Sequence, residues 1–247
     1  SFWKTLLKKP RPYLKLPFDN DPAGKGSLNC RFCTHVVPGE DMTDIRGLAK
    51  KNRTTTYMQL FSAFVSLMSD WCSETDVVVG GPVIIRDHPL LMEMVGVFIN
   101  TLITRHKVDL NDSFSDLVRQ CSGAFNEADR RKLLPFNLLT RMEGEFTLGN
   151  FMFSPVSFNY MSFPGACNKP TAKRKERRAE GLFHLNWYLT EYDDALEIRC
   201  AYREDFFREQ TIRDILARFH KLLVLAGRQP CRSCKGLIEE AQRESRK

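Results

Sequence analysis

The sequence predicts an α/β fold, with one mixed, mainly antiparallel sheet packed by helices. Three observations carry this. Residues 57–72 are apolar on most faces of a helix (Leu60, Phe61, Phe64, Val65, Leu67, Met68, Trp71), so that helix belongs in a core. Phe183, Leu185, Trp187 and Leu189 alternate with polar or smaller residues, Asp193-Asp194 turns the chain, and Leu196, Ile198, Cys200 and Tyr202 alternate back, a hairpin pattern. Between Asp76 and Arg105 an apolar strand, Val77 to Val79, is followed by Gly80-Gly81-Pro82, a short helical turn from His88 to Met94, and a second apolar strand. Strands are expected near 28–37, 76–84, 96–104, 151–161, 182–190 and 196–203.

The remaining elements follow in order. Phe2 to Lys8 reads as the end of a helix stopped by Pro10 and Pro12. Leu14 to Pro22 reads as a proline-rich extended connector. Glu40 to Asn52 places Ile45, Leu48 and Ala49 on one side of a helix. Ser113 caps a helix in which Phe114, Leu117, Val118, Cys121, Phe125 and Ala128 recur at helical spacing, with Asp116 at the third position as in a capping box. A last buried stripe, Ile212, Ile215, Leu216, Phe219, Leu222 and Leu223, follows Gln210, and Gln229 to Lys247 reads as a short linker plus a charged helix or tail.

Polar residues inside apolar strands are the candidate site. On period-two geometry Phe98, Asn100 and Leu102 share a face, and Gly96 is expected to let two backbones approach. Asn100 and Thr101 interrupt one strand, and Ser157 and Asn159 share a face of another. A buried amide without partners costs roughly 1–3 kcal/mol, so Asn100 either locks structure or faces a substrate.

Composition bounds the function. The chain has 247 residues, 43% hydrophobic and 27% charged, which argues against wholesale disorder. No apolar run approaches the ~18–20 residues that span a bilayer, so no membrane partner is expected. The amino end, Ser1-Phe-Trp-Lys-Thr, lacks ordered signal regions and an initiator Met, and reads as the start of an excised or processed piece. Net charge is +7, much of it from Lys169 to Arg178. That run has no interleaved aromatic residue on which bases could stack, so it reads as a solvated loop and no nucleic-acid partner is expected. Eight cysteines without a secretion signal point to a reducing compartment, the cytoplasm. Cys30-Arg-Phe-Cys33 and Cys231-Arg-Ser-Cys234 offer four thiols, but they stand far beyond the ~15–20 residues that separate the pairs of a zinc ribbon. Odd spacing in a strand also sends Cys30 and Cys33 to opposite faces, so no metal site is assigned. The five histidines, His35, His88, His106, His184 and His220, stand apart in sequence, and none is assigned as catalytic, because a base needs an orienting partner.

Val95-Gly96-Val97-Phe98-Ile99-Asn100-Thr101-Leu102, closed by Arg105, resembles the Ile-Gly-x-Phe-Val-Asn-Thr-x-x-x-Arg motif of nonribosomal peptide synthetase condensation domains. Asp76-Val77-Val78-Val79-Gly80, with Pro82 and Arg86, is similar to the segment before that motif. Leu14-Lys15-Leu16-Pro17-Phe18-Asp19 resembles the linker between the family's two lobes, and Tyr202 to Phe207 its closing segment. Pro135-Phe136 is similar to the end of the His-Gln-Asp-x-Pro-Phe-Glu motif, but Arg131, Lys132 and Leu133 stand where His, Gln and Asp would be, which puts its polar function in doubt.

The resemblance covers about residues 1–225. It implies a chloramphenicol-acetyltransferase-like lobe, with 1–25 an inter-lobe linker, 26–226 the carboxy-terminal lobe, and 227–247 a linker or charged tail. The family's His-His-x-x-x-Asp-Gly signature is missing from the chain. The implied function is therefore half of an amide-forming acyltransferase, inactive alone. It would supply tunnel wall through Asn100, Thr101, Ser157 and Asn159, and a segment within 150–186 that crosses to the other lobe. The implied partners are the amino-terminal lobe and peptidyl or acyl carrier proteins. No cofactor is bound directly; the phosphopantetheine arms belong to the carriers. The alternative is a degenerate module that only docks carrier proteins.

Overall fold

The computed structural model describes residues 2–6, 14–20, 29–141, 154–163, 165, 179–180 and 183–245. In chain order they form α1 (Phe2–Leu6), β1 (Asn29–Pro38), a 3-10 turn (Gly39–Met42), α2 (Thr43–Lys51), α3 (Thr56–Cys72), β2 (Asp76–Ile84), α4 (Pro89–Met92), β3 (Ile99–Lys107), α5 (Phe114–Asp129), α6 (Phe136–Arg141), β4 (Val156–Ser162), β5 (Ala179–Glu180), β6 (Leu185–Glu191), β7 (Ala195–Arg203), α7 (Glu209–Arg228) and α8 (Cys234–Ser245). The strands make one seven-stranded sheet, ordered β3-β2-β4-β6-β7-β1-β5. β4 runs parallel to β2 and β6, and the other neighbours are antiparallel, giving the mixed, mainly antiparallel sheet that the pattern predicts. Among the described residues no helix is long and apolar enough to cross a membrane.

The long helices cover one face of this sheet, and α1 packs with Val78 and Ile103, which point to the other. α3 starts where the Thr55 hydroxyl accepts the Met58 N–H (3.2 Å) and ends at Ser73 in a left-handed conformation (φ 53°). Between these caps Phe64 packs on Phe158 of β4 and Trp187 of β6, with ring centroids 5.0 and 5.2 Å apart, and Trp187 meets Phe219 of α7 edge-on at 5.3 Å. Such pairs add to the burial of large apolar rings. α7 lies close over α2, because a Cβ on Gly227 would fall 2.8 Å from the Ile45 nitrogen.

Ser113 caps α5 as expected, accepting the Asp116 N–H (3.1 Å) while its hydroxyl donates to the Asp116 carboxylate (2.6 Å). The connector is pinned rather than free. Leu14 and Leu16 are buried, and Asp19 accepts the Arg208 N–H (2.8 Å) and the Thr211 hydroxyl (2.9 Å), a carboxylate at the start of α7 where it is favourable. Within 227–247, Gly227 and Arg228 close α7, and the helix α8 buries Cys234, Leu237, Ile238 and Ala241 in the core.

Three boundaries move. The strand expected over 96–104 runs over Ile99–Lys107, because the Arg86 guanidinium takes the carbonyls of Leu91, Met92, Met94 and Gly96 and holds that stretch as a loop. The strand expected over 151–161 is described over Val156–Ser162, and the one expected over 182–190 over Leu185–Glu191. Residues 151–153 and 182, Leu28, the Lys169–Arg178 run and most of the expected crossing segment lie outside the described residues. The close backbone approach expected at Gly96 is not there, since a Cβ at that position would meet only the Phe98 ring.

It occurs instead at Gly81, where a Cβ would stand 2.6 Å from the Phe158 carbonyl oxygen. β2 meets β4 at a single register pair, Gly80 with Ser157, and the Ser154 hydroxyl donates to the Val78 carbonyl (2.7 Å) just beside it. A Gly81→Ala substitution should therefore lower stability by roughly 1–3 kcal/mol, the usual cost of overpacking. Urea unfolding measures this, and a midpoint equal to that of the wild type would show that the two strands give way freely.

Candidate functional site

The β2–β3 ladder positions the polar residues that stand out in the sequence. At its open end Arg105 grips Asp76 through two nitrogens, Nε to Oδ1 at 2.9 Å and Nη2 to Oδ2 at 2.6 Å. Its Nη1 donates to the Leu6 carbonyl (2.8 Å), so the same side chain closes the end of α1. At the loop end Arg86 spreads over the loop carbonyls, with its guanidinium 4.3 Å from the Phe98 ring centre.

Between them Asn100 uses its whole amide. Nδ2 donates to the carbonyls of Lys132 (2.7 Å) and Leu134 (2.8 Å), and Oδ1 accepts the Phe136 N–H (3.0 Å). These bonds fasten the segment before α6 to β3, and they describe the first of the two roles open to this amide, locking structure. Arg131 and Lys132 are engaged in the same segment. Arg131 donates to Glu127 and stands over Phe2 (4.4 Å), while Lys132 pairs with Asp87 (2.9 Å) and Asp129 (3.5 Å).

Register separates the four candidates. Phe158 packs on α3, so Ser157 and Asn159, its neighbours in β4, face away from the helices. Gly80 pairs with both Ser157 and Ile103, and Thr101 lies two residues before Ile103. Thr101, Ser157 and Asn159 therefore lie on the face away from α3, which α1 reaches beside Val78 and Ile103, and Asn100 on the α3 face. The Ser157 hydroxyl donates to Asn186 Oδ1 (3.0 Å) and is buried, while Asn159 is half-buried opposite Tyr188. On the helix side a narrow apolar slot lined by Tyr57, Phe61, Gly81, Leu102, Phe125 and Phe158 lies between β2 and β4.

One constellation escapes the sequence. His35 of β1 and His220 of α7 share a hydrogen bond (Nε2 to Nδ1, 3.0 Å), and His220 Nε2 meets the Asp41 carboxylate at 2.8 Å. The chain of three ties β1, the 3-10 turn and α7 together. Cys33 faces the helices beside Cys200 and Cys30 faces the other way, while Cys234 is buried and Cys231 exposed. Among the described residues no group of three or more His, Cys, Asp or Glu side chains is placed to hold a metal ion.

Asn100→Ala should cost roughly 1–3 kcal/mol, because it strands two carbonyls and an N–H, and differential scanning calorimetry should read a lower midpoint. An unchanged midpoint would mean that water replaces all three bonds. A second expectation concerns acid. Burial lowers His35, His106 and His184 to about 4, helped at His35 by His220 and Lys221 and at His184 by Arg203, and opposed at His106 by Asp76. In the unfolded chain each returns to its ordinary value near 6.5. Between these values the folded protein binds fewer protons than the unfolded one. Stability is then full above pH 6.5 and declines as pH falls toward 4. For fully buried His106 the decline is at most about 1.4 kcal/mol per pH unit. Urea midpoints should drop from pH 7 to pH 4.5, less steeply in His106→Asn. Equal slopes in the two proteins would remove His106 from this account.

Comparison with known proteins adds to this geometry. The family described as Condensation domain matches residues 1–245. The chain is 32% identical over 159 residues to Phosphinothricin tripeptide synthetase PhsC of Streptomyces viridochromogenes, covering 64% of this chain and 15% of that protein. It is 26% identical over 233 residues to Enniatin synthase of Fusarium equiseti, covering 90% of this chain and 7% of that protein. The chain thus spans a small part of these relatives. Its fold is similar to that of the condensation domain from Monacolin K polyketide synthase MokA, with a TM-score of 0.80 at 14% identity over 94% of this chain and 57% of that one. It is also similar to the X-domain bound to OxyB from teicoplanin biosynthesis, with a TM-score of 0.82 at 19% identity over 96% of this chain and 54% of that one. With the sheet, the β3 motif and its ties in place, the chain belongs to the condensation-domain family.

Proposed function

We propose that this chain is the carboxy-terminal half of a nonribosomal peptide synthetase condensation domain, which joins a carrier-bound donor and acceptor through an amide. The observation that carries this is one of coverage: 94% of the chain superposes on 57% of a solved condensation domain. Residues 1–25 then form the inter-lobe linker, 26–226 the lobe proper, and 227–247 its closing linker and helix. The other half brings the catalytic His-His-x-x-x-Asp-Gly motif, and this half is inactive alone.

In this reading the face away from α3 is the tunnel wall. Thr101, Ser157 and Asn159 line it, and Asn100 sets its shape through the 132–136 segment. An amide has no useful pKa, so Asn100 orients groups and does not move the proton. The thioester donor and the amine acceptor arrive on phosphopantetheine arms of carrier proteins, in the cytoplasm, and the amine displaces the thiol as the amide forms. Nothing in this role calls for a metal, a nucleic acid or a membrane.

A second reading is a non-catalytic module that docks carriers. It is favoured by Arg131 and Lys132, which hold Glu127, Asp87 and Asp129 at the positions where the family has His and Gln.

The test supplies the amino-terminal lobe in trans with two loaded carrier proteins. Amide product should form with both halves and not with this chain alone. Association without product would favour the docking module. Product from this chain alone, removed by mutating one of its own five histidines, would show that the active site lies in this half and overturn the reading.

A further inference from the structure

Strand register lines up a row of polar side chains across the sheet. Asn159 of β4 stands opposite Tyr188 of β6, Tyr188 opposite Arg199 of β7, and Arg199 opposite Thr34 at the edge in β1. The row beside it, Phe158, Trp187 and Cys200, faces the helices, where Phe158 and Trp187 pack on Phe64. By the two-residue period of a strand, the row of Asn159, Tyr188 and Arg199 faces the other way, with Ser157. Neighbouring strands stand about 4.8 Å apart, so adjacent members of the row can reach one ligand.

The hydrogen-bonding capacity of this row is unspent. Asn159, Tyr188 and Arg199 are half-buried. Among the described residues no hydrogen bond or ion pair engages the Asn159 amide, the Tyr188 hydroxyl or the Arg199 guanidinium. Other polar groups on the same face are taken up, Ser157 by Asn186 (3.0 Å) and Arg105 by Asp76 (2.6 Å). Glu197, two residues from Arg199 along β7 and on the same face, forms no ion pair with it among the described residues. The Arg199 guanidinium lies over the Phe32 ring, 4.7 Å from its centre. Stacking fixes the plane of the guanidinium and leaves its N–H edge free, the edge that takes a carboxylate through two parallel bonds.

We propose that Asn159, Tyr188 and Arg199 form a recognition site for a carboxylate carried by the substrate, donor or acceptor. The inference rests on the function proposed above, in which this face lines the tunnel. Arg199 takes the carboxylate on its free edge, and the Tyr188 hydroxyl donates to it from the adjacent strand. Asn159, the third in the row, has both a donor and an acceptor, which suits an amide group of the same substrate. Charge selects the class of ligand. The row carries one cation and no carboxylate, so it favours an acidic group over its neutral isostere and disfavours an amine. A few convergent polar groups of this kind fix a ligand's orientation and set its specificity.

The test has two arms. In the first, N-acetylglutamyl methylamide and N-acetylglutaminyl methylamide, close in shape and different in charge, are titrated into this chain while the Tyr188 ring signals are followed by NMR. The glutamyl compound should move them and the glutaminyl compound should not. Arg199→Gln should weaken the response to the glutamyl compound roughly tenfold or more, the loss expected for charge-assisted bonds. Its thermal midpoint should equal that of the wild type, because no bond within the fold depends on the guanidinium. In the second arm the two halves are combined, and glutamyl or glutaminyl substrate is loaded first as donor and then as acceptor. In one of the two positions kcat/KM should favour the glutamyl substrate roughly tenfold or more, and Arg199→Gln should abolish that ratio. The position in which the ratio appears identifies which substrate carries the carboxylate.

Amide formation without a charge preference in either position, or Tyr188 signals that the glutamyl compound leaves unmoved, would overturn this inference and leave the proposed function standing. The same holds if inorganic phosphate moves the Tyr188 signals as strongly as the glutamyl compound, since the row would then be an undifferentiated anion patch. A Tyr188 response in a protein whose two halves make no amide from any pair would overturn the proposed function, and with it the assignment of this row to a substrate.

Discussion

The sheet depends on two residues that have no side chain. β3 and β2 form one ladder, β4, β6, β7, β1 and β5 another, and among the described residues the two pair only at Gly80–Ser157, with the Ser154 hydroxyl bond to Val78 beside it. At the next residue the backbone of β2 presses on the Phe158 carbonyl, where any Cβ would stand at 2.6 Å. Glycine costs conformational entropy in a strand, roughly 0.5–1 kcal/mol relative to alanine. That cost is tolerable where it lets α3 lie under both ladders, with Phe61 and Phe64 on Phe158 and Val77 and Val79 of β2 in the same core. Without the close approach the helix layer would have to cover a split sheet.

Past this join, the polar motif residues of the hairpin serve the backbone. Arg86 binds loop carbonyls, Asn100 binds two carbonyls and an N–H, and Arg105 binds a carbonyl as well as Asp76. Each is a planar side chain with several donors in fixed directions, which suits it to gather several backbone groups at once. Irregular segments carry carbonyls that no ladder satisfies, and leaving them buried is costly. The three side chains are thus the means by which α1, the 84–99 loop and the 132–136 segment attach to one edge of the sheet.

Most elements were legible because their patterns are local. The 57–72 helix and the 183–203 hairpin each follow from a periodicity within one segment, and the Ser113 cap from a three-residue spacing. The misplaced start of β3 has a non-local cause, since apolar residues 95–98 look like strand until a guanidinium ten residues upstream claims the neighbouring carbonyls. The candidates were partly legible for the same reason. Alternation places Ser157 and Asn159 on one face, but only the inter-strand register adds Thr101 to them and sets Asn100 apart. The His35–His220–Asp41 chain was beyond reach, because β1 and α7 are brought together by the whole fold and no motif marks either histidine.

Adjacent residues of β3 consequently carry separable burdens. Asn100 points to the helix layer and its bonds are part of what holds the edge of the sheet. Thr101, the next residue, points the other way, opposite Pro82, onto the face away from α3. In a sheet packed on one side, the packed face is constrained by volume and hydrogen bonding, and the other tolerates change. Substitutions at the half-buried Thr101 and Asn159 can therefore alter what that face meets at little cost to the fold, whereas change at Asn100 acts on the fold first. That division separates change in what the sheet meets from change in the fold itself. Here it is drawn by the two-residue period of a strand.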